Sequence, residues 1–202
     1  MNFKYYLKNI IRAREQIRLY KPRKLSKPER MIEMANYSSA WKGLELIIED
    51  ILNTYKVGRK SCIEFGVEFG YSTAVFSNYF DKVVGIDTFE GDIHTAHKGD
   101  HFEDTKKRLS EFKNIELIKS DYKDWIDKDQ SKYDFAHVDI VHNYEETFEC
   151  GLWAVHHSDC TIFHDTESFP TVRSAVVDIA KFTKRKVLNY PFSNGLGIIV
   201  KK

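Results

Sequence analysis

No apolar run in this 202-residue chain approaches the roughly 18 residues that a membrane-spanning helix requires. The first residues carry charges and lack the uninterrupted apolar core of a secretory leader. Cysteine is scarce. Cys62, Cys150 and Cys160 show no metal-binding spacing, and any pairing leaves one over. Reduced thiols account for them most simply, so a cytoplasmic location is the expectation. No internal repeat is present, and G-x-G-x-x-G, the dinucleotide-binding signature, does not occur. What is there suffices for a packed core and a solvated surface: 42% hydrophobic and 30% charged residues. The length fits one domain of ordinary size with an appendage.

The net charge of +1 hides an asymmetry. Residues 1–30 hold ten Lys or Arg against two acids, a net of +8. From totals of 31 and 30, that leaves 21 basic and 28 acidic residues elsewhere, a net of −7. A basic arm can meet nucleic acid, an anionic membrane face or an acidic partner. The simpler reading is a solvated helix docked on an acidic body.

Apolar side chains at Phe3, Leu7, Ile10, Ile11 and Ile17 form a helical stripe over 2–20, ended by Pro22. That stripe also offers a homodimer contact. A polar connector spans 21–30, and helical patterns follow at about 28–36 and 40–55. Beyond Gly58, strands are expected at about 60–65, 82–87, 114–119, 133–139 and 159–164. Helices are expected at about 71–80, 103–112, 143–156 and 171–184. The alternation predicts an α/β, Rossmann-like doubly wound sheet, mostly parallel, with helices on both faces. Residues 186–190 and 195–200 leave no room for a crossover helix, so they should form a C-terminal antiparallel strand pair. The division is then 1–57, a helical extension with a basic arm, and 58–202, the α/β domain. The polar loop Glu90–Asp100 sits where a mobile lid would sit.

Ligands of open α/β sheets bind beyond the carboxyl ends of the strands. The first strand ends at Glu64 and runs into Gly66 and Gly70, an E-x-G-x-x-x-G turn. Glycine suits backbone that passes close to a ligand. Glu68 on this turn would repel a pyrophosphate but tolerates a cationic centre with an amino-acid tail, which S-adenosylmethionine has. Ser72 opens the next helix, where its hydroxyl and free backbone N–H groups suit a ligand carboxylate. Asp87 ends the second strand, about 20 residues on, from where a carboxylate can accept both ribose hydroxyls. Structural readings compete: tight packing for Gly70, a helix cap for Asp87. Asp121 and Tyr122 follow the third strand. Asp121 or a neighbour could accept from an adenine amino group, or Asp121 could cap the helix carrying Trp125. Tyr122, Trp125 and Phe89 could flank the adenine or pack in the core. Two neighbouring strands finish at Asp139 and at His164-Asp165. With His142 nearby, these groups can hold a divalent ion, and His142 is placed for a general base. Alternatively Asp165 caps a helix and the histidines satisfy backbone groups.

Together these residues resemble the class I S-adenosylmethionine-dependent methyltransferases. Within them the chain resembles the small metal-assisted O-methyltransferases of the catechol and the macrocin/mycinamicin sugar types, over about residues 40–200. Gly70-Tyr71-Ser72 is similar to the catechol-type turn, and Asp87-Thr88-Phe89-Glu90-Gly91 to the D-x-F-E-G of the sugar type. Asp139-x-x-His142 is similar to the metal acid and base histidine of the sugar type. His164-Asp165 falls where both types carry two adjacent metal ligands. The resemblance implies S-adenosylmethionine bound at Glu64, Gly66, Gly70, Ser72, Asp87, Asp121 and Tyr122. It implies Mg2+ or another divalent metal at Asp139, His164 and Asp165. The first of the adjacent pair is usually acidic, and His164 there admits a softer ion such as manganese or zinc. The implied reaction is methylation of a small-molecule hydroxyl, with Asp139 and His142 catalytic. Tyr37 and Trp41 could line the acceptor site or simply pack.

Two other readings are consistent with parts of the chain. His137-x-Asp139 with a distant histidine fits a non-haem metal oxygenase, but that site belongs to a double-stranded β fold. The basic arm fits a non-catalytic, nucleic-acid-associated protein on the same fold. No Asn/Asp-Pro-Pro-Tyr motif is present, which argues against DNA base methylation.

Overall fold

The computed structural model describes residues 17–34, 39–91 and 99–201. Eight strands form one sheet. In chain order they are β1 (Arg18–Leu19), β2 (Ser61–Phe65), β3 (Lys82–Asp87), β4 (Ile115–Lys119), β5 (Tyr133–Val138), β6 (Ser158–His164), β7 (Lys186–Tyr190) and β8 (Leu196–Val200). The helices are α1 (Glu45–Thr54), α2 (Tyr71–Ser77), α3 (Phe102–Arg108), α4 (Tyr122–Ile126), α5 (Tyr144–His157) and α6 (Pro170–Thr183). The spatial order is β1-β7-β8-β6-β5-β2-β3-β4. Only β8 runs antiparallel to its neighbours. This is the Rossmann-like α/β architecture the alternation predicts, with its closing antiparallel pair.

Strand alternation divides the core into two layers. On β2, Cys62 faces the layer built from Ile47, Ile48, Ile51 and Leu52 of α1 and Val75 and Phe76 of α2. Ile63 and Phe65 face the opposite layer, with Cys150, Ala154 and Val155 of α5 and Val172, Val176 and Ile179 of α6. Each fully buried Ile or Leu contributes about 1.5–3 kcal/mol. The apolar spacing of α1 therefore secures that helix on the sheet. Residue 64 shares the α1/α2 side with Cys62, which puts a carboxylate inside an apolar layer.

Helix ends follow local chemistry. Asn143 caps α5, its side chain accepting the Glu146 amide at 2.8 Å. Pro170 opens α6, and Lys184 closes it in the left-handed region. Among the described residues no helix is long and apolar enough to cross a membrane.

The N-terminal segment differs from the helical expectation. Arg18–Leu19 adds a short parallel strand to β7, with Arg18 opposite Leu188. Residues 20–34 are irregular and held by side chains instead. Asp50 accepts from the Tyr20 hydroxyl and from the amides of Arg23 and Lys24. The Arg30 guanidinium donates to the Glu111 carbonyl and covers the Phe112 ring. The first part of the 2–20 stripe, with its dimer contact, lies outside the described residues. So do Tyr37 and most of the 90–100 loop proposed as a lid. The base of that loop is closed: the Gly99 amide donates to Glu90 and the His101 amide to Phe89.

Candidate functional site

The carboxyl ends of β2, β3, β4, β5 and β6 open into one cleft of about 580 Å³. Of the sequence-predicted residues, Gly66, Ser72, Asp87, Asp121, Tyr122, Asp139, His142, His164 and Asp165 line it. Glu64 and Gly70 are not among its lining residues.

The glycine turn is held by its surroundings. Gly66 has φ +88°, and a Cβ there would lie 1.8 Å from the Asp139 carbonyl oxygen. A close approach of neighbouring backbone is therefore enough to demand glycine here. Gly70, at φ +84°, would press a Cβ against Leu109, so the packing explanation holds for its contacts. Glu68 occupies the left-handed region at φ +50°. Its carbonyl accepts from the Thr105 hydroxyl, and that of Phe69 from Arg108, so α3 pins the turn. Asp87 accepts the amides of Val67 (2.7 Å) and Glu68 (2.8 Å) on one oxygen and of Phe89 (2.7 Å) on the other. A carboxylate offers about four acceptor positions. Three are taken, which leaves room for one further donor rather than the two ribose hydroxyls expected.

Glu64 belongs to a buried network beneath the turn. Its side chain is fully buried. It accepts from Ser72 Oγ (2.5 Å), Thr73 Oγ1 (2.5 Å) and His137 Nδ1 (2.9 Å). The Ser72 hydroxyl is thus aimed at Glu64 rather than at a ligand carboxylate. Trp41 Nε1, which can only donate, contacts His137 Nε2 at 3.2 Å. That fixes His137 as the tautomer protonated on Nδ1. Both its ring nitrogens are engaged, so it is not a ligand beside Asp139, as the oxygenase reading required. Trp41 and Thr73 were missed as members of this network. The traceable signal was a Ser-Thr pair directly after the glycine turn.

Asp121 caps α4, accepting the Lys123 amide at 2.8 Å, and still faces the cleft. The Tyr122 hydroxyl donates to Glu149 at 2.8 Å. Phe89 is fully buried and Trp125 packs among core residues. Neither lines the cleft, so of the three aromatics considered beside an adenine only Tyr122 does.

At the other end, Asp139, His164 and Asp165 each offer an atom within 4.8 Å of the others. His164 Nδ1 lies 3.0 Å from Asp139 and 3.5 Å from Asp165. Its Nε2 lies 3.3 Å from the Ser193 carbonyl and can only donate to it. A neutral His164 would therefore point its Nδ1 lone pair at two carboxylates. The set needs a positive charge, either a second proton on the ring or a cation. Burial would lower the His164 pKa, but Asp139 and Asp165 raise it above the usual histidine range. His142 Nε2 lies 2.8 Å from Asp165 and 3.6 Å from Asp139. Burial would lower its pKa too, but bonds to the two carboxylates raise it to about 10. Burial pushes Asp139 up, and His164 and His142 hold it well below the carboxylate range. The His142 ring stacks on Phe169, centroids 4.1 Å apart. Asp165 sits at φ +62°, backbone strain of the kind that collects at ligand-binding positions. One N and two O donors fit a divalent cation of borderline softness.

Among solved structures, the chain is similar to a protein assigned as a caffeoyl-CoA O-methyltransferase from Staphylococcus aureus. The TM-score is 0.62 at 13% identity, covering 85% of this chain and 86% of that one. An O-methyltransferase from Bacillus cereus, solved with S-adenosylhomocysteine, matches with TM-score 0.54 at 14% identity, covering 84% of each chain. At such identities the likeness is one of fold. No curated protein sequence matches the chain. The family model described as a methyltransferase domain matches residues 63–166, from the middle of β2 to just past Asp165. That span carries the glycine turn, Asp87 and the Asp139/His164/Asp165 cluster on one continuous stretch of sheet, and this chain belongs to the methyltransferase-domain family.

Proposed function

We propose that the chain is an S-adenosylmethionine-dependent O-methyltransferase acting on a small-molecule hydroxyl, with a divalent cation held by Asp139, His164 and Asp165. The observation that carries this reading is the convergence of those three side chains in the same cleft as the glycine turn. The cleft volume suits a nucleoside-sized ligand. Among the described residues, six carboxylates and no Lys or Arg line it, a setting favourable to a sulfonium. Asp87, with one acceptor position left, takes a ribose hydroxyl. Tyr122 and Asp121 flank the base.

A cation at the cluster would lower the pKa of an acceptor hydroxyl and fix its orientation. Asp139 and Asp165 supply its charge partners. His142, stacked on Phe169 and reaching both carboxylates through Nε2, would take the hydroxyl proton only once a cation draws Asp139 and Asp165 away from it, because those carboxylates otherwise keep the ring protonated. Positioning supplies most of the acceleration, because a sulfonium methyl is already activated.

Isothermal calorimetry with S-adenosylhomocysteine, with and without Mg2+ or Mn2+, tests both halves on wild type and Asp139→Ala. Nucleoside binding that survives Asp139→Ala, beside cation binding that does not, is the expected result. Absence of nucleoside binding to wild type would sink the reading.

A further inference from the structure

A second cavity of about 330 Å³ adjoins the cleft, and Met34 and Tyr71 line both. Its walls differ in charge. Among the described residues, the cleft holds six carboxylates, Glu68, Asp87, Asp121, Asp139, Glu146 and Asp165, and no Lys or Arg. The annex holds Lys27 and Lys42 and a single acid, Glu45. That acid is already engaged: it accepts the Gly43 amide at 2.6 Å and the Tyr71 hydroxyl. Among the described residues neither lysine has a carboxylate within ion-pair distance. Met31, Ile32 and Met34 complete the wall with apolar surface.

We propose that this annex binds an anionic group, a phosphate or a carboxylate, at the far end of the methyl acceptor. The inference rests on the methyl-transfer reading and adds to it the acceptor's chemical class. Glu68, Asp87, Asp121 and Glu146 repel an anion on the glycine-turn side of the cleft, whereas the two lysines attract one beyond Tyr71, which orients an acceptor that carries charge at one end and a hydroxyl at the other. Lys27 and Lys42 pair with the anion, and the three apolar side chains cover the stem that joins it to the hydroxyl.

Methionine-methyl NMR tests this directly. The chain has three methionines, Met1, Met31 and Met34, and two of them line the annex. The full chain, with S-adenosylhomocysteine present, is titrated with butyl phosphate, with butyrate and with butanol. Saturable shifts of the Met31 and Met34 methyls with either anion, and not with the alcohol, are expected. The stronger of the two anions identifies the group. The Lys27→Gln/Lys42→Gln double variant should weaken that response about tenfold, from two exposed ion pairs. Lys24→Gln, outside the annex, should leave it unchanged. A response to butanol equal to that of the anions, no response to any probe, or undiminished binding by the double variant would overturn the proposal. Nucleoside binding is followed on the same samples. Its failure would remove the methyl-transfer reading while leaving the anion response to be judged alone.

Discussion

The two ends of the cleft solve opposite problems. Around the glycine turn, the polar groups close on one another: Asp87 takes three amides, and Glu64 takes two hydroxyls and an imidazole. At the Asp139/His164/Asp165 end, carboxylates face His164 and demand positive charge, which ring protons or a cation can supply. A self-satisfied turn keeps its shape without a ligand, whereas a cluster that can exchange protons for a cation responds to what is placed in it. The contrast separates residues that shape the cleft from residues that act in it.

The most severe way to break the first region is Gly66→Ala. A left-handed backbone and a Cβ driven onto the Asp139 carbonyl should together destabilise the fold by roughly 3 kcal/mol or more. Urea unfolding measures it, and a midpoint equal to wild type would show that the turn relaxes freely. The second region should respond to ions instead. Mn2+ or Mg2+ at 100 times its Kd should raise stability by about 2.7 kcal/mol. Thermal unfolding should show that gain vanish in Asp139→Asn, and a gain retained there would place the ion elsewhere. Asp87→Ala comes next, since it strips three amides of their acceptor together with the proposed ribose contact. It should weaken S-adenosylhomocysteine binding by about 1–3 kcal/mol, and unchanged affinity in calorimetry would remove Asp87 from the site. Smallest is Trp41→Phe, which keeps a six-membered ring in place and deletes the indole N–H with the pyrrole ring that carries it. A loss of about 1 kcal/mol is expected, with the His137 15N shifts changing from a single Nδ1–H tautomer to a mixture. An unaltered tautomer would show that Glu64 alone fixes the ring.

The sequence made the sheet legible because strands covered on both faces read as apolar runs, and their carboxyl ends announce themselves with acids. Asp87, Asp139 and Asp165 were found that way, and all three line the cleft. Glu64 was placed by the same rule as a ligand contact. Its buried side instead depends on Ser72, Thr73 and His137, partners scattered over 73 positions, which no local pattern displays. The N-terminal segment misled for a related reason. Arg18–Leu19 is extended only because β7 lies alongside. Met31 and Ile32 are apolar anchors for an irregular stretch, with Arg30 bonded to Glu111 and Asn78, not one face of a helix.

The contact between Gly66 and the Asp139 carbonyl makes the partition between the two half-sites a single backbone thick. β2 and β5 are bonded neighbours there, the Asp139 amide donating to the Phe65 carbonyl at 2.8 Å. If methyl donor and acceptor occupy these two half-sites as proposed, the span between them is ruled by inter-strand spacing, which varies little from one sheet to another. A bound molecule meets that gauge already set, and evolution could retune which acceptor is methylated from the flanking walls without resetting how far the methyl must travel.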